Sequence, residues 1–291
     1  MHVHSAAPPA PSKTEPPEAS RLQPGLHHLS APTHSLSAWL AVPEHLNPSL
    51  SPLVAVHGVR RGARNQARQF MQAAHEQGRL VIAPLFDTHH WFGYQRILAQ
   101  GQRADLALLR LLESVSFQLG VSTRQVALFG YSGGAQFAHR FAMLHPHRVA
   151  QLCTCAAGWY TWVEAGAGAF PRGLEASARR RLSLGEVAAA NLGRFLQIPT
   201  WVTVGALDNQ ADALTRRDPH LDALQGSHRL KRAQRWVQAL HSAAASRGMQ
   251  ASAQLHVLPD AGHDFGQCMR SGALAQLALP ALAPARLRLA A

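Results

Sequence analysis

The sequence predicts an α/β protein in which one mostly parallel central sheet is covered by helices on both faces. Short apolar segments alternate along the chain with stretches of helical periodicity, which is the pattern of parallel strands joined by crossover helices. Most of these segments are apolar throughout, as strands buried on both faces require. With 291 residues and 47% hydrophobic residues, the chain is long enough for one large domain or two small ones.

The elements are expected in the following order. Two short strands precede the loop at Asn47 and Pro48, and six further strands are predicted at 53–56, 80–84, 126–129, 150–155, 201–204 and 253–258. Helices are predicted at 65–77, at 133–144 and at 227–245, and another carries apolar positions at Leu106, Leu109, Leu112 and Val115. The helix at 133–144 is expected to stop before Pro146, because proline disfavours helical backbone in the residue before it.

Two segments do not fit this alternation. Residues 1–24 are rich in proline and predict a disordered tail, which leaves 25–291 as a single domain. Residues 158–197 are rich in Gly, Ala and Arg and predict a cap or lid-like insertion over one end of the sheet. The tail lacks the basic start and apolar core of a secretory signal, and no apolar run approaches the ~18 residues of a membrane span. We therefore expect a cytoplasmic protein without a membrane span.

The chain is strongly basic, with 28 Lys and Arg against 16 Asp and Glu. Such a charge attracts polyanions or substrates that carry carboxylates or phosphates. The arginine run at 179–181 has no interleaved aromatic residues, so it predicts a solvated face, and no nucleic-acid partner is expected. Cys153, Cys155 and Cys268 are expected to be free, buried thiols, and no Cys and His spacing predicts a metal site.

The segment GYSGG places Ser132 between a predicted strand and a predicted helix. The pattern G-x-S-x-G in this context is typical of a nucleophilic serine on a sharp strand-to-helix turn. Such a serine needs a base, and the base needs an acid that fixes its tautomer. His263 follows the last predicted strand, and Asp208 follows the one before it. Asp212 or, less plausibly, Asp260 could serve as the acid instead.

A second glycine turn, His57-Gly58-Val59, ends the third predicted strand. The backbone N–H groups of Val59 or Arg60, together with that of Gly133, are candidate donors to the oxyanion of a tetrahedral intermediate.

These motifs resemble the α/β-hydrolase superfamily, from about Leu26 to the C-terminus. The HG turn, GYSGG and the late GH are similar to the branch that includes poly(3-hydroxybutyrate) depolymerases and feruloyl-type esterases. The resemblance implies Ser132 as nucleophile, His263 as base and Asp208 as acid, with no metal and no organic cofactor. It further implies a carboxylic ester substrate, small or oligomeric, with a short hydroxyacyl or aromatic acyl group.

The sequence departs from that branch in its basic loop. Arg60, Arg61 and Arg64 are expected to face the substrate, and guanidinium groups recognise carboxylates well. A related branch cleaves poly(aspartic acid), so an anionic polyamide is the alternative substrate. Further substrate contacts are expected from Tyr131 beside the serine and from Trp159 and Tyr160, although aromatic residues at strand ends also belong to cores. A hypothesis of another class is a non-catalytic protein of this fold that binds polyanions.

Overall fold

The computed structural model describes residues 22–31, 35–176, 183–271 and 273–279. Most of the expected tail, residues 1–21, lies outside the described residues, as does the arginine run at 179–181. Within the described part, no helix is long and apolar enough to cross a membrane.

Eight strands of the described chain form one mixed sheet in the order β1, β2, β4, β3, β7, β8, β9, β10, and β5 pairs with β6 in a small hairpin. β2 is antiparallel to both of its neighbours, whereas all pairs from β4 to β10 are parallel. The strands are β1 (Gly25–Leu29), β2 (Ser37–Val42), β3 (Leu53–Val56), β4 (Val81–Leu85), β5 (Leu98–Ala99), β6 (Gln102–Arg103), β7 (Val126–Tyr131), β8 (Val149–Cys155), β9 (Thr200–Gly205) and β10 (Ala253–Leu258).

Helices connect most of these strands. They are α1 (Ala63–Glu76), α2 (Ala104–Leu119), α3 (Gly133–Leu144), α4 (Leu184–Ala190), α5 (Leu192–Leu196), α6 (Pro219–Gln225), α7 (Arg229–Ala245), α8 (Phe265–Arg270) and α9 (Leu274–Ala278). The predicted helix at 133–144 has the bounds of α3, and each of the six predicted apolar strands is confirmed to within two residues.

Successive residues of β3 show why the sheet is covered on both faces, since neighbouring side chains of a strand point to opposite sides. Val54 and Val56 join the hydrophobic cluster to which α2, α3 and α7 contribute, whereas Leu53 and Ala55 join the cluster of α1, α8 and α9. The predicted fold class is therefore confirmed. Cys153, Cys155 and Cys268 are free and buried, as expected.

The buried face of α2 contains two of the four predicted positions, Leu112 and Val115, but differs from the prediction in the first turns of the helix. Leu106 is 36% exposed, whereas Leu108 and Leu111 are buried. The predicted positions were each three residues apart, and such a series drifts around a helix that has 3.6 residues per turn. Steps of four and three residues, as from Ala104 to Leu108 and Leu111, stay on one face.

A buried carboxylate anchors the start of α2. Asp105 accepts hydrogen bonds from Arg103 at 2.7 and 2.5 Å and lies 2.8 Å from His145 Nε2 at the end of α3. Burial alone would raise the pKa of Asp105, but the bonds and charges of Arg103 and His145 more than offset it and lower the pKa to about 2. The ionised Asp105 carboxylate therefore links the start of α2 to the end of α3.

Candidate active site

Ser132 occupies a sharp turn between β7 and α3. Its backbone has φ 53° and ψ −112°, a strained conformation for a residue with a side chain. Two glycines permit the turn, because a Cβ at Gly130 would collide with the Gly134 carbonyl and one at Gly134 with the Val56 carbonyl. The Ser132 amide donates to the Cys155 carbonyl at 2.8 Å, so the end of β8 holds the turn in place.

Three side chains meet at the carboxyl edge of the sheet. Ser132 Oγ lies 3.1 Å from His263 Nε2, and His263 Nδ1 lies 2.9 Å from Asp208 Oδ2. Ser132, Asp208 and His263 follow β7, β9 and β10 respectively. With the Nδ1 hydrogen donated to the carboxylate, Nε2 of the neutral ring is the acceptor that faces the serine hydroxyl. This arrangement can transfer a proton from Ser132 to His263.

The second oxygen of Asp208 is held by Arg229, the first residue of α7. Arg229 Nη1 donates to Asp208 Oδ1 at 3.0 Å, and the same guanidinium makes two bonds to Asp212. Burial acts to lower the pKa of Arg229, but its bonds to Asp212 and Asp208 raise the pKa overall. The bonds from Arg229 also hold the pKa of Asp212 well below its usual range. Of the three candidate acids, Asp208 is the one that contacts His263, while Asp260 lies in an exposed turn.

A buried histidine fixes the chain after β3. His57 Nδ1 donates to the Gly58 carbonyl at 2.8 Å, and its Nε2 accepts from the Phe86 amide at 3.0 Å. The Tyr94 hydroxyl donates to the His57 carbonyl at 2.5 Å. Burial lowers the pKa of His57 to about 4, so the ring is neutral at neutral pH and keeps one donor and one acceptor.

The amides predicted to bind an oxyanion belong to Val59, Arg60 and Gly133. A Cβ placed on Gly133 would lie 3.4 Å from the Val59 amide nitrogen, so the two segments are in contact. Within the described residues, none of these three amides donates a hydrogen bond. Gly133 also begins α3, where the helix dipole favours negative charge. All three amides are thus free to bind an anionic oxygen beside Ser132.

A cavity of about 230 Å³ opens at Ser132. Tyr131 and His263 line one side, with their rings stacked at 5.4 Å between centroids. Burial raises the pKa of Tyr131, so this ring is a neutral phenol. Arg60 and Asp212 also line the cavity, which therefore combines an aromatic wall with charges of both signs.

The three arginines predicted to face the substrate have different positions. Arg60 lines the cavity, but Arg61 and Arg64 do not. The Arg61 guanidinium lies 4.7 Å from the centroid of the Tyr94 ring, and that of Arg64 lies 5.1 Å from the centroid of Trp39. These two side chains turn away because aromatic faces beside the loop attract them.

Trp159 and Tyr160, also predicted as substrate contacts, do not line the cavity. Tyr160 is fully buried and stacks on Trp236 with 4.2 Å between ring centroids. Trp159 is 5% exposed and lies 4.0 Å from the Arg140 guanidinium. Both side chains pack in the core, in contrast to the prediction, because their large rings are buried against helices α3 and α7. No described residue of 158–197 lines the cavity.

Three residues of this region were not predicted from the sequence as part of a site: the His57 ring, Arg229 and Gln66. Gln66 lines the cavity and is 2% exposed. It could have been predicted from its position on the buried face of α1, which also carries Ala63 and Phe70. Nothing in the sequence distinguishes Arg229 from the many other arginines, since its contacts depend on the approach of two distant segments.

No family model matches the chain, and no curated protein gives a significant match. Solved structures do match. Poly(aspartic acid) hydrolase-1 from Sphingomonas sp. KT-1 superposes with a TM-score of 0.75 and 22% identity, over 88% of this chain and 99% of that one. LpqC, a poly(3-hydroxybutyrate) depolymerase from Bordetella parapertussis, gives a TM-score of 0.72 and 27% identity, over 88% and 89%. An S-formylglutathione hydrolase from Agrobacterium tumefaciens gives 0.56 and 13%, over 87% and 93%.

These matches cover 87–88% of this chain and 89–99% of the matched chains. This chain has the α/β-hydrolase fold, in common with esterases, depolymerases and other hydrolases.

Proposed function

We propose that this protein is a serine-dependent hydrolase of carboxylic esters. The observation that carries the proposal is the series of hydrogen bonds from Ser132 through His263 to Asp208 at the edge of the cavity. The 27% identity with a poly(3-hydroxybutyrate) depolymerase supports an ester substrate.

In the proposed reaction, His263 Nε2 accepts the proton of Ser132 Oγ while that oxygen attacks the ester carbonyl carbon. The carbonyl oxygen becomes an oxyanion, to which the amides of Val59, Arg60 and Gly133 donate, each donor being worth roughly 3 kcal/mol. The tetrahedral intermediate collapses to an acyl-enzyme while the protonated histidine gives its proton to the leaving alcohol. Water then attacks the acyl carbon as His263 takes its proton, and the carboxylic acid leaves with Ser132 restored.

Asp208 supports both half-reactions without changing its own protonation. It accepts the Nδ1 hydrogen of His263 and so stabilises the imidazolium that forms in each step. Because Arg229 holds its other oxygen, the carboxylate cannot rotate away from the histidine.

The size of the cavity favours a short acyl group. Pockets that enclose drug-sized ligands have volumes of roughly 300–1,000 Å³, and this cavity of about 230 Å³ is smaller. We therefore propose a short hydroxyacyl or similar acyl group, in a small ester or at the end of an oligomer.

The test is the hydrolysis of p-nitrophenyl butyrate by the wild type, by Ser132→Ala and by Ser242→Ala. Ser242 is exposed on α7 and serves as the matched control. We expect Ser132→Ala to lower kcat by at least roughly 10⁴-fold and the control to keep the wild-type rate. Turnover that survives in Ser132→Ala would contradict the assignment of the nucleophile.

An anionic polyamide is the second candidate substrate, and a cationic groove favours it. The groove has a volume of about 400 Å³ and is lined by Trp39, Arg61, Arg64 and Arg68, among others. It adjoins the cavity at Ser132, because Gly62 and Asn65 line both. Arg64 and Arg68 are exposed, and neither forms an ion pair with a described carboxylate, so their charge is available to a substrate.

This second candidate is tested with the double variant Arg64→Gln/Arg68→Gln. If the groove binds an anionic chain, the ratio of poly(aspartic acid) turnover to p-nitrophenyl butyrate turnover should fall severalfold and the salt dependence of polymer turnover should weaken. A double variant at Arg110 and Arg124, two exposed arginines outside both cavities, removes the same charge and should keep the ratio. An equal change in both double variants would reject the groove.

A further inference from the structure

Gln66 is a buried polar residue in the wall of the cavity at Ser132. It lies in the first turns of α1, is 2% exposed and lines the same cavity as Ser132 and His263. Its side chain has no part in the proposed proton transfer.

The carboxamide oxygen of Gln66, Oε1, has no hydrogen-bond partner among the described residues. Nine buried side-chain atoms in the described residues have no hydrogen-bond partner, and among them only Gln66 Oε1 belongs to a residue that lines this cavity. A buried amide oxygen without a partner costs about 1–3 kcal/mol of stability. The described residues supply no partner for this oxygen, and Gln66 lines the cavity at Ser132, so we consider a substrate group in that cavity as the partner of its carboxamide.

The neighbours of Gln66 on the helix show that its polarity is an exception. The other buried residues of α1 are Ala63, Ala67, Phe70 and Ala74, all apolar. An apolar side chain at position 66 would complete this stripe and would leave no unpaired atom. The glutamine instead brings a hydrogen-bonding group to the cavity that contains the reacting serine.

We propose that Gln66 contacts the substrate and gives the cavity its preference for an acyl group that carries a hydroxyl. This inference rests on the hydrolase function proposed above and names its substrate class. A carboxamide has both donors and acceptors, and a hydroxyl likewise both donates and accepts. A hydroxyl therefore pairs with either end of the Gln66 side chain, whereas an alkyl chain leaves the amide unpaired.

The experiment compares p-nitrophenyl 3-hydroxybutyrate with p-nitrophenyl butyrate as substrates of the wild type, Gln66→Met and Gln69→Met. Methionine has nearly the shape of glutamine and no strong hydrogen-bonding atom. Gln69 lies on the same helix but is exposed, so it is the matched control. We expect Gln66→Met to lower the kcat/KM ratio of the hydroxylated to the plain ester by about 10- to 100-fold, and Gln69→Met to keep the wild-type ratio.

A structural role gives a different result. If Gln66 is only part of the buried face of α1, Gln66→Met raises the unfolding temperature and leaves the kcat/KM ratio as in the wild type. That result would overturn the proposal. If the wild type hydrolyses neither ester, the proposed function fails separately. Isothermal titration with 3-hydroxybutyrate and with butyrate then tests whether Gln66 binds the hydroxyl. Equal affinities of the wild type and Gln66→Met for 3-hydroxybutyrate would also overturn the proposed role.

Discussion

Replacement of His57 should make the stability of this protein less dependent on pH. His57 is fully buried, and its neutral ring donates to Gly58 and accepts from Phe86. Protonation would place a second hydrogen between His57 Nε2 and the Phe86 amide and a charge on a fully buried ring. The folded state therefore binds a proton on His57 less readily than the unfolded chain does.

The magnitude follows from the two pKa values of His57, which are about 4 in the folded state and 6.5 for an ordinary histidine, as in the unfolded chain. Between them the unfolded state binds one proton more than the folded state, so stability falls as the pH falls. The cost is absent above about pH 6.5 and complete below about pH 4. A difference of 2.5 pH units corresponds to about 3 kcal/mol in the free energy of unfolding.

The assay is urea unfolding at a series of pH values from about 4.5 to 7.5, which brackets most of this window. His57→Gln keeps a donor and an acceptor but does not titrate. We expect its free energy of unfolding to be lower than that of the wild type at neutral pH and the difference to shrink by about 2–3 kcal/mol toward the acid end. His220→Gln, at an exposed position, is the control and should run parallel to the wild type. Parallel curves for His57→Gln and the wild type would refute the reasoning.

Three further substitutions test other parts of the structure. Arg229→Met leaves the buried Asp208 carboxylate without one of its two partners, so we expect the free energy of unfolding to fall by about 3–5 kcal/mol; an unchanged urea midpoint would contradict the described contact. Asp105→Asn should cost about 2 kcal/mol at neutral pH and almost nothing near pH 2, because the folded pKa of about 2 lies below the ordinary aspartate value of 3.8 and the stabilisation is lost as the pH falls between them. An equal cost at both ends of this window would argue against this reasoning. Gly134→Ala should lower both the unfolding temperature and ester turnover, because its Cβ would collide with a carbonyl of β3. Gly193→Ala is the control and should change neither, because a Cβ there meets no atom within 4 Å. Equal behaviour of the two variants would show that the turn tolerates a side chain.

The sequence could predict the hydrogen-bonded series because the fold places strand ends together. Ser132, Asp208 and His263 each follow an apolar segment, and the carboxyl ends of parallel strands meet at one edge of a sheet. Their positions directly after these strands were therefore enough to predict that they lie in one region. The choice among Asp208, Asp212 and Asp260 needed coordinates, since it depends on the path of each loop after its strand.

The walls of the cavity could not be predicted in the same way. Whether Arg61 or Arg64 points into the cavity depends on which aromatic ring lies nearer, and those rings come from Tyr94 and Trp39, far away in the sequence. Tyr160 follows a strand as the site residues do, yet it packs on Trp236 of a later helix. Strand ends predict the region in which a residue lies, but side-chain direction depends on long-range packing.

The stability of the fold and the reactivity of the site place opposite demands on polar groups. Arg232 is fully buried and donates to the carbonyls of Gly226, Gly158 and Arg216 as well as to the Asp222 carboxylate, so the fold can satisfy even a buried charge. Beside the serine the reverse holds, since the amides of Val59, Arg60 and Gly133 and the Gln66 oxygen lack protein partners within the described chain. These groups lower the stability of the free protein, and in the proposed reaction the amides form their hydrogen bonds most fully with the oxyanion of the tetrahedral state. Interactions that form fully in the transition state are those that accelerate a reaction, so the unpaired groups around the serine are the part of the structure on which the proposed catalysis depends.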